Sequence, residues 1–293
     1  MKQKKPTPKQ AVRRQLAGEG LRPKKSLGQN FLTDETVLEN IVAAADVTSE
    51  SCVLEIGPGM GALTRELAKT AGHVAAVEID TSILSVLEQN ICEFSNVTVV
   101  NQDILKADLA ALFTELFGMR SVKVIANLPY YITTPIIMKL LEEDLPITSI
   151  VIMIQREVAR RLAAAPGTKD YGAITPVVQY KAEVAPICDV PPEAFEPVPK
   201  VWSSVIRLDV RQTPPVSVTD EAHFFHVIRA AFAQRRKTFV NSAGSYPALG
   251  VEREDVKKVL QKLNFSENIR GEILSIEQFA QISNELVRER LSK

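Results

Sequence analysis

Four consecutive residues, Asn127-Leu128-Pro129-Tyr130, carry groups suited to chemistry on a planar ring that bears an amine. The asparagine oxygen accepts a hydrogen bond from an exocyclic amine, and the tyrosine ring stacks on the face of the heterocycle. Proline fixes its own φ and drives Leu128 into an extended conformation, which turns the Leu128 carbonyl outward as a second acceptor. The combination suits reaction at the N6 amine of adenine. Alone, the tetrapeptide equally describes a turn that ends a strand, so its meaning depends on what surrounds it. Tyr131 is a second candidate for lining such a site, with core packing as its alternative role.

A second cluster is Glu55-Ile56-Gly57-Pro58-Gly59-Met60-Gly61. Glycines permit a tight turn and close approach of a ligand to the backbone, and a helix starting there offers unpaired N–H groups. Glu78 stands 21 residues beyond Gly57, the spacing at which a carboxylate grips ribose hydroxyls. Written as G-x-G-x-x-A with Ala62 last, the same turn admits a nicotinamide dehydrogenase. Asp103 follows the apolar run Val97 to Val100; it suits an acceptor for an adenine amine and equally a helix cap.

These residues need elements to hold them. Asp34 can cap a helix whose apolar positions Val37, Leu38, Ile41 and Val42 follow a 3.6 period. Cys52 to Ile56, Val74 to Ile79, Val97 to Val100 and Val122 to Ala126 read as strands. Helices over about 62–70, 82–92 and 105–117 separate them, and a helix over about 135–141 precedes the apolar run Ile150 to Ile154. Strands alternating with helices imply an α/β fold with a mostly parallel, doubly wound sheet. Gly57, Glu78, Asp103 and Asn127 then sit at the carboxyl ends of four successive strands, the edge where open α/β sheets bind ligands. That ordering favours S-adenosylmethionine over a nicotinamide cofactor. Further on, Val177 to Val184 and Ser204 to Leu208 read as strands joined by the proline-rich segment Pro186 to Pro199, an antiparallel addition to the sheet. Pro214-Pro215 marks a boundary, beyond which helices are expected over about 220–234, 252–262 and 275–290.

At this point the chain resembles the small-subunit ribosomal RNA adenine N6-dimethyltransferases, the KsgA/RsmA family, over residues 22–293. The resemblance rests on KKSLGQNFL (Lys24 to Leu32), EIGPGMGALT (Glu55 to Thr64), NLPYYITTPI (Asn127 to Ile136), FEPVPKV (Phe195 to Val201) and AFAQRRKT (Ala231 to Thr238). It implies a seven-stranded methyltransferase sheet over 22–212 and a small all-helical C-terminal domain over 213–293. It assigns S-adenosyl-L-methionine as cofactor, held by Asn30, Leu32, Gly57, Glu78, Asp103 and Asn127. Catalysis by Asn127, Leu128, Pro129 and Tyr130 would dimethylate two adjacent adenosines near the 3′ end of small-subunit rRNA, with a role in small-subunit biogenesis. The large-subunit antibiotic-resistance methyltransferases share fold and pocket, but the RRKT run followed by a full helical domain looks more like the small-subunit group. The shared motifs do not account for residues 1–21, which read as a flexible basic extension.

Net charge is zero, which by itself argues against nucleic acid as a partner. The distribution argues for it. Residues 1–25 carry nine Lys/Arg against Glu19 alone, a net of +8, so the other 268 residues sum to −8. The acid-free stretch Ala222 to Gly250 holds Arg235, Arg236 and Lys237, candidate contacts to RNA phosphates and equally a solvated helix end. The expected partner is the small ribosomal subunit or its rRNA, bound by a monomer. Cys52, Cys92 and Cys188 are widely spaced, which points to neither a disulfide framework nor a zinc site, and no metal is expected. No run approaches the ~18 apolar residues of a membrane helix, and the N-terminus lacks the apolar segment of a signal peptide. A cytoplasmic location is expected. A zinc deaminase would also act on adenine, but its His-x-Glu and Pro-Cys-x-x-Cys elements are absent. A non-catalytic RNA-binding protein on the same fold would have no need of an intact glycine turn, Glu78 and Asn127 together.

Overall fold

The computed structural model describes residues 6–118, 120–234 and 236–291. The segment expected to be a flexible extension contains helix α1 (Pro8–Gly18). Thr7 and Gln10 exchange reciprocal side-chain and backbone hydrogen bonds at its start, and Pro8 sits in the first turn, where no N–H is needed. A helix of 11 residues is marginal by itself. Here Leu16 is buried with Phe31, Met60, Ile83 and Val86, Arg13 pairs with Glu196 at 2.7 Å, and the Gln15 and Asn90 amides bond reciprocally at 2.7 and 3.3 Å. The basic composition described the solvated face of this helix; the buried leucine decided its fate.

A short strand β1 (Phe31–Leu32) leads to α2 (Glu35–Ala44), capped as expected by Asp34 through the Thr36 and Val37 N–H groups. There follow β2 (Cys52–Ile56), α3 (Ala62–Ala68), β3 (His73–Glu78), α4 (Leu84–Ile91), β4 (Val97–Asn101), α5 (Leu109–Phe117), β5 (Val122–Asn127), α6 (Thr133–Glu142) and β6 (Ile147–Gln155). Next come α7 (Arg156–Leu162), α8 (Ile174–Lys181), β7 (Ala182–Val190), β8 (Phe195–Glu196) and β9 (Ser203–Val210). The seven-stranded sheet has the order β4-β3-β2-β5-β6-β9-β7. Strands β4 to β6 pair in parallel, and β9 runs antiparallel to β6. All five residues of β2 are buried, as a central strand covered on both faces requires. The chain winds outward from β2 to β4, then returns to β5 beside β2, so the turns after β2 and β5 flank the point where strand order reverses.

Two sequence expectations are corrected here. Val177 to Val184 is not one strand: α8 ends at Lys181 and β7 begins at Ala182. Its β-branched residues favour a strand, but burial of Thr175, Val177, Val178 and Tyr180 on a helix prevails. Pro176 lies in the first turn of α8, where its missing N–H costs nothing. Pro186 is part of β7 rather than of a linker, and β7 lies at the sheet edge, where proline is tolerated. The segment Phe195 to Glu196 also adds a pairing the sequence did not suggest, with β1 as its antiparallel partner.

The chain divides into two compact units. One runs through Ala159 and includes Val184–Val210. The other joins Arg160–Glu183 to the chain from Arg211 onward, close to the expected break after residue 212 but with an earlier segment added. In this second unit α9 (Glu221–Phe232), α10 (Phe239–Ala243), α11 (Arg253–Lys262) and α12 (Ile276–Leu291) follow. The added segment is held by the Tyr171 hydroxyl on Leu274 O at 2.9 Å, and by Tyr180 against Phe224 with ring centroids 4.9 Å apart.

Candidate active site

The turn Gly57 to Gly61 carries the chain from β2 into α3. Gly59 has φ +59°, and its N–H donates to Glu78 Oε2 at 3.1 Å. A side chain there would be strained and would meet the Phe31 ring at 3.2 Å. The other Glu78 oxygen accepts from the Asp80 N–H at 2.8 Å. Burial pushes the Glu78 carboxyl above its ordinary range, and backbone hydrogen bonds, those from Asp80 and Gly59 foremost, only partly oppose it. The end of β3 is thereby tied to the turn after β2.

Asp80 is a hub that sequence reading missed. It accepts from Lys24 Nζ at 2.6 Å, Gln29 Nε2 at 2.7 Å, and the Ser82 N–H and hydroxyl at 3.0 and 2.6 Å. Burial alone would raise its carboxyl; the hydrogen bonds from Lys24, Ser82 and Gln29 outweigh burial and hold it below the usual range. The run Lys24 to Leu32 is docked on β3 in this way, and within it Asn30 Nδ2 donates to Gly28 O at 3.0 Å. The only local hint was an acid two residues beyond Glu78.

Asn127 ends β5. Its Nδ2 donates to the Asn30 backbone oxygen at 3.2 Å, which leaves Oδ1 as an acceptor for a ligand. The Leu128 N–H donates to Met153 O at 3.2 Å, extending the β6 pairing by one residue, and its side chain is buried. Pro129 O is taken by the Ile132 N–H and the Thr133 hydroxyl, both at 3.2 Å, as the chain turns into α6. The Tyr130 hydroxyl lies 2.7 Å from Ser203 Oγ, so the ring is anchored at its far end. Burial raises the phenol, which keeps it neutral. Ser203 had no role in the sequence reading, since only the β6–β9 pairing brings it here.

Asp103 caps its own turn, accepting from the Leu105 N–H at 3.0 Å, with Lys106 Nζ 3.7 Å from its other oxygen. It also lines the cavity. Asn30, Leu32, Gly57, Glu78, Asp103, Asn127, Leu128, Pro129 and Tyr130 all line one cavity of about 320 Å³. That is the scale of a small-molecule site. Tyr131 lines it as well and is 58% exposed, so it is not packed in the core. Arg236 and Lys237 are exposed in the turn between α9 and α10, in the other unit, and do not line the cavity. Arg235 lies outside the described residues.

Glu55 entered the sequence reading only as the first letter of the glycine motif. It is buried, it lines the cavity, and its Oε2 has no hydrogen-bond partner in the protein. Burial pushes its carboxyl up to about 8, opposed by the Thr64 hydroxyl and reinforced by the Glu78 charge. An acid within a run that is otherwise apolar was the available signal.

Residues 20–287 match the family model described as Ribosomal RNA adenine dimethylase. The chain is 50% identical to the Ribosomal RNA small subunit methyltransferase A of Alkaliphilus oremlandii (strain OhILAs), over 90% of this chain and 92% of the relative. It is 51% identical to the protein of the same name from Bacillus mycoides (strain KBAB4), over 92% and 93%. Among solved structures it is similar to a dimethyladenosine transferase from Plasmodium falciparum, with TM-score 0.76, 25% identity, and 89% of this chain and 98% of that one covered. It is also similar to the 23S rRNA methyltransferase ErmE, with TM-score 0.67, 26% identity and coverage of 88% and 100%.

Proposed function

This chain belongs to the ribosomal RNA adenine dimethylase family, and from that premise we propose that it transfers methyl groups from S-adenosyl-L-methionine to N6 of two adjacent adenosines near the 3′ end of small-subunit rRNA. The observation that carries the reading is Asn127: its amide nitrogen is occupied by Asn30, its oxygen remains, and it shares one cavity with Glu78 and the glycine turn.

The donor set fits this cofactor. Glu78 offers a carboxylate to ribose hydroxyls, the open turn at Gly57 and Gly59 admits a ligand against the backbone, and Glu55 Oε2 is a buried polar atom of the cavity wall without a partner in the protein. When bound, the cofactor supplies an electrophilic methyl group on a sulfonium centre. The acceptor nitrogen is a poor nucleophile because its lone pair is delocalised into the ring. Hydrogen bonds from the amine to Asn127 Oδ1 and the Leu128 carbonyl favour a more tetrahedral nitrogen with its lone pair available. Tyr130, held by Ser203, stacks on the base once it has turned out of the RNA. Such a stack contributes ~1–3 kcal/mol, enough to offset much of an unstacking cost of similar size. No general base is needed before attack, so orientation supplies most of the acceleration.

Methylating the same nitrogen twice adds a constraint. After the first transfer the amine keeps one N–H and cannot serve both acceptors while presenting its lone pair, so Asn127 and Leu128 must share it in turn. Arg235, Arg236 and Lys237 are proposed phosphate contacts, which makes binding to the small subunit or its rRNA weaken with salt. A cytoplasmic monomer with a part in small-subunit biogenesis is consistent with this reading. Among the described residues no helix is long and apolar enough to cross a membrane.

The test is transfer of a labelled methyl group to small-subunit particles taken from cells that lack this protein, with mass spectrometry of the nucleosides. Dimethyladenosine in the rRNA is the expected product. Unlabelled rRNA after incubation with folded protein would overturn the proposal.

A further inference from the structure

Trp202 is the chain's one tryptophan, and it lies at the surface with 41% of its area exposed. Its neighbours hold it in place. Arg156 donates its backbone N–H to Trp202 O at 3.0 Å, and its guanidinium carbon stands 4.9 Å from the centre of the indole. The same guanidinium lies 3.6 Å from Asp189 Oδ2, which anchors it from the side. A cation over an aromatic face stabilises the pair and stiffens a side chain that would otherwise rotate.

The position on the sheet links this pair to the reaction. Arg156 directly follows β6 and Trp202 directly precedes β9, where Gln155 and Ser203 are cross-strand partners. This is the carboxyl edge of β5 and β6, the edge that carries Asn127. Asn127 is in register with Met153 and Met153 with Val205, so Asn127 lies two strand spacings of ~4.8 Å from Val205; Ser203 is two residues further along β9, which puts its backbone about 12 Å from that of Asn127. Ser203, the next residue, is the one that anchors Tyr130. Val198, Val201 and Tyr131 are exposed nearby in sequence or on the same edge, at 51%, 41% and 58%.

A base turned out of a single strand leaves its neighbour with one face uncovered. Unpaired bases are held chiefly by stacking on aromatic rings and guanidinium planes. A braced indole about two strands from the acceptor site is suited to that neighbour. Resting on the function proposed above, we propose that Trp202, stiffened by Arg156, is a positioning residue: a stacking platform for the unpaired base adjacent to the adenosine held by Asn127, Leu128 and Tyr130. Tyr130 then serves the reacting base and Trp202 the one beside it, which gives the site a grip on two consecutive nucleotides.

The test compares Trp202→Leu and Trp202→Phe in steady-state methylation of undermethylated small-subunit particles, with cofactor affinity measured on each variant by calorimetry. Leucine retains apolar bulk without a π face, and phenylalanine retains the face. Trp202→Leu should lower kcat/KM about ten- to hundredfold, mostly through KM, and leave cofactor affinity unchanged. Trp202→Phe should recover most of the loss. Equal KM for Trp202→Leu and wild type, or a Phe variant as impaired as the Leu variant, would overturn the platform. Wild-type protein that methylates no particles would instead overturn the proposed function, and the platform with it.

Discussion

The Asn127 side-chain nitrogen donates to the backbone carbonyl of Asn30 at 3.2 Å, joining segments 97 residues apart. The amide of an asparagine can be turned either way, and this one contact decides which atom is left for substrate. Asn30 is in turn part of a segment docked on Asp80 through Lys24 and Gln29. The orientation of Asn127, the proposed acceptor-binding side chain, is therefore set by the segment that carries Asn30 and Leu32, which line the same cavity.

Replacement of Asn127 by alanine removes one of the two acceptors for the reacting amine. We expect methyl transfer to fall by about 100- to 1000-fold, the usual loss for one preorganised hydrogen-bonding group at a reacting centre. RNA binding, measured by filter retention, should change little. Asn127→Asp tests orientation: it keeps an acceptor but cannot donate to Asn30, so it should also be impaired. Activity near wild type in both variants would remove Asn127 from the chemistry.

Asp80 should matter for cofactor affinity although it is absent from the cavity wall. Asp80→Ala frees Lys24 and Gln29 and loosens the segment that carries Asn30 and Leu32. Hydrogen bonds to a charged group contribute about 1.5–3 kcal/mol each; losing even one such contribution corresponds to a roughly tenfold weaker Kd. Titration calorimetry with S-adenosylhomocysteine reads this directly, and an unchanged Kd would show that the docking does not reach the pocket.

Glu55 gives stability a distinctive pH dependence. Its carboxyl sits at about 8 in the folded chain against 4.5 when unfolded, so the folded state holds the extra proton between those values. Stability from this group is fully present below about pH 4.5 and is lost as pH rises through about 8. Glu55→Gln cannot titrate, so its thermal midpoint should decline less than that of wild type across this window. Parallel curves for the two proteins would contradict the assignment.

Helix α1 should depend on Leu16. Burying a leucine contributes about 1.5–3 kcal/mol, and an 11-residue helix has little stability of its own. Leu16→Ala is expected to speed amide exchange over residues 8–18 while β2 and β5 stay protected. Exchange confined to the wild-type rate would mean that the Arg13–Glu196 and Gln15–Asn90 contacts suffice.

Much of the site was legible because its signals are local. The turn at Gly57 to Gly61 follows an apolar strand within a few residues, and Asn127 to Tyr130 does the same at β5. The regular alternation of strands and helices was enough to place Gly57, Glu78, Asp103 and Asn127 on one edge. The misreadings had a common origin. Val177 to Val184 was judged by β-branched content, and residues 8–18 by charge, whereas both were decided by which face becomes buried.

The chain's own order of residues determined the strands β2 to β5, the helices between them and which side chains stand at the strands' carboxyl ends, because strand period, glycine turns and helix caps act over neighbours. Tertiary structure alone decided how those side chains are held: Asn30 on Asn127, Lys24 and Gln29 on Asp80, Ser203 on Tyr130, and Arg156 on Trp202. Each pair joins residues distant in sequence, and no local pattern encodes such a contact. It exists only after non-adjacent strands have paired and brought their ends to the same place.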